Sequence, residues 1–531
     1  MPNRYVVQWD KDDLDALGLL KVDVLALGML TVIRRALALT AWRRDLPVFR
    51  MQDIPRQDVA TFEMISQADT VGVFQIESRA QMNMLPRLKP REFYDLVIEV
   101  AIVRPGPIQG GMVHPYLRRR QGLEPITYPS DAVRAVLERT LGVPIFQEQV
   151  MKLAMVAAGF TAGEADSLRR AMAAWRRRGG LEKFQQRLID GLLANGYAPE
   201  FAQAVFKQIE GFGEYGFPES HAASFAWLAY VSAWLKRHEP EGFLAALLNA
   251  QPMGFYSPSQ LIQDARRHGV QVRPVDVQTS LWECILEPVH GLRPCVRLGL
   301  NQVKGLSSAV AMRIVHAREQ SVFIDMDDLA RRAQLMRNCL SLLANAGALS
   351  SLTSHRREAL WQAAVPRRHD LLAPLPASRT SHSQLPVASP AEDLVLDYQS
   401  LGYTLERHPL SLIRTNLQAQ RYRPSDALQA CRHGQLVRAC GLITLRQRPH
   451  TARGVMFVTL EDEAGWLNVI VHPGLVEREK TVLLQAVLLG VIGTWQTDGN
   501  THHLLAGRLV DETAQLRRLG LVPSPAVCQP G

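Results

Sequence analysis

The stretch from residue 435 to residue 510 constrains the fold more than any other part of the sequence. Gln435–Gln447 is strand-like and leads into a turn at Pro449–Gly454. Val455–Leu460 is a second strand, Glu461–Gly465 a second turn and Trp466–His472 a third strand. Leu475–Gln485 has helical spacing, Val487–Gln496 returns to a strand pattern, Asp498-Gly499-Asn500 is a turn and His502–Val510 a last strand. Apolar residues at every second position mark half-buried strands, and spacings of three and four mark a helix.

Three strands, a helix and two strands is the order expected of an OB-fold, a small barrel often used on single-stranded nucleic acid. A small barrel without a ligand is the alternative. The rest of the chain reads differently. Residues 1 to about 280 combine one short strand with many amphipathic helices and Pro/Gly-rich corners. Residues 298–362 are helical with Gly-centred turns, and Pro366 to Pro390 is a Pro/Ser/Arg-rich linker followed by a helical connector, Ala391 to Ile413. The most apolar helix, Ala222 to Leu235, is too short to span a bilayer and belongs in a core. The expected class is therefore α+β multidomain, mostly helical, with a carboxy-terminal β-barrel.

Charge narrows the function. Against 51 acidic residues stand 60 Lys and Arg, a formal excess of +9, and the excess clusters at Arg118-Arg119-Arg120, Arg169-Arg170 and Arg176-Arg177-Arg178. Clusters of this kind suit polyanionic partners, although a solvated basic surface produces the same runs. The six cysteines are scattered, with no CxxC and no zinc-ligand spacing, which fits a reducing cytoplasm. No signal peptide is read at the amino terminus.

Several short segments carry candidate chemistry. In Leu19-Leu20-Lys21-Val22-Asp23-Val24-Leu25, a strand pattern puts Lys21 and Asp23 on one face and the valines on the other. A carboxylate among aliphatic side chains needs a divalent metal or a cationic side chain beside it, and both readings remain open. Gly211-Phe212-Gly213-Glu214-Tyr215-Gly216 matches GxGxxG but follows a helix-like run instead of a strand, so a dinucleotide site is rejected. Arg169 and Arg170 are adjacent on a helix, where guanidinium forks suit phosphate oxygens, or they form surface ion pairs. His221 sits at an apolar helix start, where a satisfied core histidine is the plainer reading. Arg104-Pro105-Gly106-Pro107 is a rigid corner holding one arginine. Residues 298–318, with Lys304, Gly305 and Ser307, resemble a helix-hairpin-helix whose backbone amides approach a DNA phosphate. Ser307 stands where a second glycine is common, and Asn345-Ala346-Gly347-Ala348-Leu349 is a second, degenerate hairpin.

Taken together, these residues resemble one family. Lys21-Val22-Asp23-Val24-Leu25-Ala26-Leu27-Gly28, Gly72-Val73-Phe74-Gln75-Ile76-Glu77-Ser78, Arg104-Pro105-Gly106-Pro107, Tyr128-Pro129, Phe146-Gln147-Glu148-Gln149, Leu168-Arg169-Arg170-Ala171-Met172 and Tyr215-Gly216-Phe217-Pro218-Glu219-Ser220-His221 look like the bacterial DNA polymerase III α-subunit, in the family's order. Ala173-Ala174-Trp175-Arg176-Arg177-Arg178-Gly179-Gly180 is typical of its damage-inducible, error-prone paralogue. The resemblance implies a palm remnant over 1–50, fingers over 51–297, tandem helix-hairpin-helix over 298–362, linker and connector over 363–413, an OB-fold over 414–515 and a tail over 516–531. It also implies roles: Asp23 as a metal-binding catalytic aspartate, Lys21 as a lysine facing the active site, Arg169 and Arg170 as holders of the incoming triphosphate, His221 as the residue screening the sugar 2′ position, and Arg104 as an arginine of the fingers corner. Lys304, Gly305 and Ser307 would touch DNA. Mg²⁺ is the implied cofactor, and primer-template DNA and deoxynucleoside triphosphates are the implied partners. Accessory mutagenesis proteins and, through them, the sliding clamp complete the set, because Gln384-Leu385-Pro386 is a poor clamp motif. No membrane partner is expected.

One departure stands out. Phosphoryl transfer to a primer hydroxyl generally uses two Mg²⁺ held by several carboxylates, and no Asp-x-Asp stands in a palm-like strand upstream of Lys21. Asp13-Leu14-Asp15 has the spacing but lies in the stretch just before the Asp23 strand. Met1 thus reads as an internal methionine, with the remaining carboxylates expected on a separate amino-terminal fragment. A catalytically incomplete DNA-binding fragment is the alternative.

Overall fold

The computed structural model describes residues 11–18, 27–103, 111–178, 182–211, 218–290, 293–365, 385–448, 454–498 and 501–521. The expected strand around Lys21 and Asp23, the Arg104 corner, most of the GxGxxG segment and most of the linker lie outside them.

A helix that is apolar on every side has to be surrounded. The helix Glu219–His238, starting after Pro218, meets this condition over Ala229–Lys236, whose residues are all buried. It packs against Phe93–Ile102, itself buried from Asp95 onward, and against Val59–Ser66 and Pro240–Asn249, which in turn covers Leu27–Arg43. Aromatic rings fill the seams: Phe62 against Tyr230 at 5.3 Å and Phe49 against Trp234 at 5.8 Å between centroids. A second helical layer stacks Gln147–Ala158 on Ala162–Arg178 and on Glu182–Ala194, which meets Pro199–Gly211.

Three strands that the sequence pattern missed follow. β1 (Val272–Arg273), β2 (Ile285–Glu287) and β3 (Cys295–Arg297) form a sheet in the order β1-β3-β2. Strands of two or three residues are too short to show an alternation. Next come the helices Ser308–Gln320, Met326–Arg332, Arg337–Asn345 and Arg356–Ala364, with the connector helix Pro390–Ser400 packed on Arg337–Asn345. The hairpin before Ser308–Gln320 is preceded by a single 3₁₀ turn, Leu300–Gln302, and not by a full helix. Gly305 supplies the left-handed turn at φ +83°.

The barrel follows the expected order. β4 (Leu436–Gln447), β5 (Met456–Glu461), β6 (Trp466–Val471), β7 (Leu488–Asp498) and β8 (Thr501–Asp511) close as β4-β5-β6-β8-β7, with β6 and β8 parallel. Alternation is visible in β6, where Leu467, Val469 and Val471 are buried. At the bulge in β7, Gly493 lies so close to the next strand that an added Cβ would sit 2.1 Å from the Leu505 carbonyl. The expected helix over Leu475–Gln485 is two short ones, Pro473–Arg478 and Lys480–Gln485. Glu479 breaks them and accepts the Leu509 N–H at 2.6 Å, so a contact to β8 overrides helical spacing.

Among the described residues no helix is long and apolar enough to cross a membrane, and the five described cysteines are free thiols. Because Leu235 is wholly buried at the centre of the core, Leu235→Ala is expected to cost about 2–5 kcal/mol. The shift of the main transition in urea unfolding measures this.

Candidate nucleotide and nucleic-acid interface

The start of the Glu219–His238 helix is pinned from two sides. The Glu219 N–H donates to Glu148 at 3.0 Å, and the Glu219 carboxylate accepts the Tyr94 hydroxyl at 2.8 Å. Arg139 lies 3.7 Å over the Tyr94 ring and reaches the same carboxylate. Burial, reinforced by Glu219, pushes the Tyr94 hydroxyl well above the usual phenol range. His221, two residues after the pinned Glu219, is exposed, which overturns the core reading. Its ring lies 4.4 Å from Phe225, which stacks on Phe74 at 5.3 Å and 12°. Phe74 is held by its own N–H on the Ser232 hydroxyl at 3.1 Å, and the next residue, Gln75, takes a left-handed φ of +68°. A non-glycine residue held there is strained and needs surrounding contacts to persist. Phe74 and Phe225 are thus supports of His221 that the sequence reading left without a role; the i, i+4 spacing from His221 to Phe225 was the available signal.

Arg169 and Arg170 sit on Ala162–Arg178, whose Ala165, Leu168 and Met172 are buried at helical spacing, so the arginines face out. Both reach Asp166, Arg169 at 2.9 Å and Arg170 at 3.2 Å. The side chains are 41% and 67% exposed and Asp166 is 47% exposed. Exposed pairs of this kind contribute only about 0.3–0.5 kcal/mol, so the guanidiniums can turn to a phosphate at little cost. The helix Gln147–Ala158 links the two features: its Glu148 holds Glu219, and it packs against the arginine helix. Arg119 and Arg120 of the first basic run are differently employed. Arg120 grips Asp95 with two bonds of 2.6 Å and the Leu88 carbonyl at 2.9 Å, and Arg119 reaches Glu124 and the Leu141 carbonyl.

At the hairpin, Lys304 donates its N–H to the Ser400 carbonyl and its ammonium to the Tyr398 carbonyl at 3.0 Å. The Ser307 hydroxyl caps Ser308–Gln320 by accepting the Val310 N–H. Lys304, Gly305 and Ser307 remain exposed, yet two of the three already serve local structure. Asp23, Lys21 and Arg104 lie outside the described residues.

The opposite end of the core helix carries a buried ammonium. Lys236 Nζ lies 2.8 Å from Asp264 and 3.0 Å from Asp69, and donates to the Val71 carbonyl. His268 completes the group, with Nε2 2.6 Å from Asp69 and Nδ1 2.7 Å from the Asp264 carbonyl. Asp69, Asp264 and His268 have metal-ligand spacing, but Lys236 already occupies both carboxylates, so the group does not fit magnesium. Burial alone would raise the Asp69 carboxyl; the His268 bond and the Lys236 charge outweigh it and hold it at about 2. Close by, burial lifts the Glu77 carboxyl to about 7 despite the Gly72 N–H and Lys236.

From Glu77 the chain runs directly into the barrel. Arg79 donates to Thr459 on β5 and to Asn468 on β6, directly opposite one another. Burial pulls the Arg79 guanidinium down to about 10. Trp466 of β6 stacks on Tyr256 at 6.1 Å and carries Arg267 over its ring at 4.8 Å. The second and third strands are the face on which OB-folds usually hold oligonucleotides, and here that face rests on the helical body.

Residues 29–196 match the bacterial DNA polymerase III alpha subunit finger domain, and residues 269–359 match a helix-hairpin-helix motif. The chain is 61% identical over 521 residues to the error-prone DNA polymerase of Bordetella bronchiseptica, covering 98% of this chain and 49% of that protein. The chain is a relative of bacterial error-prone DNA polymerases. Those of Azoarcus sp. and Burkholderia pseudomallei are 60% and 58% identical over 96% and 97% of this chain, and 49% of each relative is covered. The chain therefore spans about half the length of the curated error-prone DNA polymerases it matches. Arg169 and Arg170 lie within the residues that match the finger domain.

Two outcomes follow from this geometry. Both ring nitrogens of His268 face acceptors, and the Asp69 bond, above all, raises its pKa. Its contribution to stability is present in full below the ordinary value of 6.5 and is lost as pH rises through the raised folded value. Asp69 works in the other direction: its contribution is present above the ordinary 3.8 and is lost as pH falls toward 2. Thermal midpoints measured across neutral pH should fall with rising pH, and His268→Gln should flatten that slope. In Arg79→Ala, amide hydrogen exchange should accelerate in β5 and β6 while the Glu219–His238 helix keeps its protection.

Proposed function

We propose that this chain is the carboxy-terminal portion of an error-prone, translesion DNA-directed DNA polymerase that acts in damage-induced mutagenesis and repair synthesis in the cytoplasm. The observation that carries the reading is the similarity, over 98% of this chain and 49% of the relative, to a protein of that name, together with Arg169 and Arg170 on the outward face of a helix that matches a finger domain. In this reading the two arginines hold the triphosphate of an incoming deoxynucleotide, which their weak tether to Asp166 permits. His221, held by Phe225 and Phe74, stands beside the sugar and screens its 2′ position, and Arg104 shapes the adjoining corner. Lys304, Gly305 and Ser307 contribute to holding primer-template DNA.

Asp23 and Lys21 are assigned to the catalytic centre, with Asp23 one ligand of a two-magnesium site. When bound, the magnesium pair would supply charge neutralisation on the reacting phosphates. One aspartate does not hold two ions, so a further polypeptide bearing carboxylates is among the proposed partners. Accessory mutagenesis proteins and, through them, the sliding clamp are the proposed further partners.

A second reading, a DNA-binding fragment without catalysis, is favoured by Asp23 being the single catalytic aspartate that the resemblance assigns. Primer extension separates the two. With magnesium, the purified chain alone is expected to add no nucleotides, and an amino-terminal fragment of a relative is expected to restore extension. Asp23→Ala should abolish the restored activity. Extension by the chain alone, lost in Asp23→Ala, would sink the fragment reading, whereas no restoration would sink the polymerase reading.

A further inference from the structure

A large open groove is lined by none of Arg169, Arg170 and His221. It measures about 1180 Å³ and runs between the end of the helix Arg79–Leu88 and the end of Val113–Arg120. One wall is the turn after Leu88, where Lys89 takes a left-handed φ of +50° and ends the helix. This short segment places Arg87, Lys89 and Arg91 along the groove, all three exposed.

The opposite wall uses up the negative charge. Asp95, which lines the groove, accepts two bonds from Arg120 and the N–H groups of Arg91 and Glu92, so its carboxylate is fully engaged. Arg119 takes Glu124 in the same way. Among the described residues, Lys89 and Arg91 take part in no ion pair, and Glu92 is the one further carboxylate lining the groove. What remains is Lys89 and Arg91, two cations spaced along an open trough and not a closed pocket converging on one point. A small anion is best held by converging donors, whereas a line of cations tracks a chain of phosphates. Because both cations come from one short segment, they suit one backbone better than the two of a duplex. The helix Phe93–Ile102 contributes Asp95 to the groove, while its Tyr94 bonds Glu219 at 2.8 Å, two residues before His221.

We propose that this groove binds the phosphate backbone of single-stranded DNA through Lys89 and Arg91. The ligand class rests on the polymerase reading, but the binding step needs no catalysis.

The test uses the full 531-residue chain and fluorescein-labelled oligothymidylate, with affinity read by anisotropy across a potassium chloride series. For single strands, each phosphate contact contributes about 0.7 to the slope of log K against log salt. Lys89→Ala/Arg91→Ala should therefore lower the slope by about 1.4 and weaken binding most at low salt. Both side chains are exposed, and an unchanged circular-dichroism melt confirms the fold; Lys89→Gln/Arg91→Gln serves if the alanine variant melts early. A wild-type slope in the folded double variant overturns the groove, and restored primer extension in that variant would leave the polymerase reading standing. A slope that drops for duplex but not for the single strand overturns the strand assignment. Displacement of the oligonucleotide from the wild type, but not from the double variant, by stoichiometric inorganic tripolyphosphate would mark a small-anion site and overturn it as well.

Discussion

A single buried ammonium organises the helical body. Lys236, with its side chain 5% exposed, lies in the Ala229–Lys236 stretch of its helix, which is buried throughout. A charge in that position persists only with partners, and removing one partner of such a pair typically costs about 3–5 kcal/mol. Asp69 and Asp264 come from segments far apart in sequence, so satisfying Lys236 fixes where the Asp69–Arg79 segment and the helix Pro258–Arg267 sit against Glu219–His238. The helix is then a rigid rod with a structural charge at one end and His221 at the other.

The segment fixed by that charge connects distant parts of the molecule. Within a few residues it places Phe74 beneath Phe225 and His221, buries Glu77 beside Gly72, and sends Arg79 into the barrel between Thr459 and Asn468. The support of the candidate sugar-facing histidine and the seat of the barrel are therefore parts of one rigid turn. Trp466, wedged between Tyr256 and Arg267, adds apolar area to the same junction. Stacking and guanidinium contacts of the kind that hold a base are satisfied within the chain at this face.

Legibility in the sequence followed the range of the interactions. The barrel strands were readable because each buries one face, so every second residue reports the core; even the order β4-β5-β6-β8-β7 agrees with the expected class. The helix Glu219–His238 was equally readable from its apolar run, and Gly305 from its turn. The strands β1 to β3 were not, being two or three residues long, nor was the break at Glu479, which a carboxylate bond to β8 produces. His221 was misplaced for a related reason: its neighbours are apolar, yet the pinned first turn leaves the ring in solvent. Arg118-Arg119-Arg120 looked like an interaction surface, but two of the three were consumed by Asp95, Glu124 and backbone carbonyls.

The sequence by itself determined the order of the barrel's elements along the chain, the apolar core helix and the turn at Gly305, since local periodicity encodes which side of an element is buried. Only the tertiary structure decided which charges were spent and which were spare. Arg120 and Lys236 were neutralised by partners 25 to 167 residues away, while Lys89 and Arg91 were left along an open groove. Ion pairing depends on distance in space, and no spacing along the chain reports it.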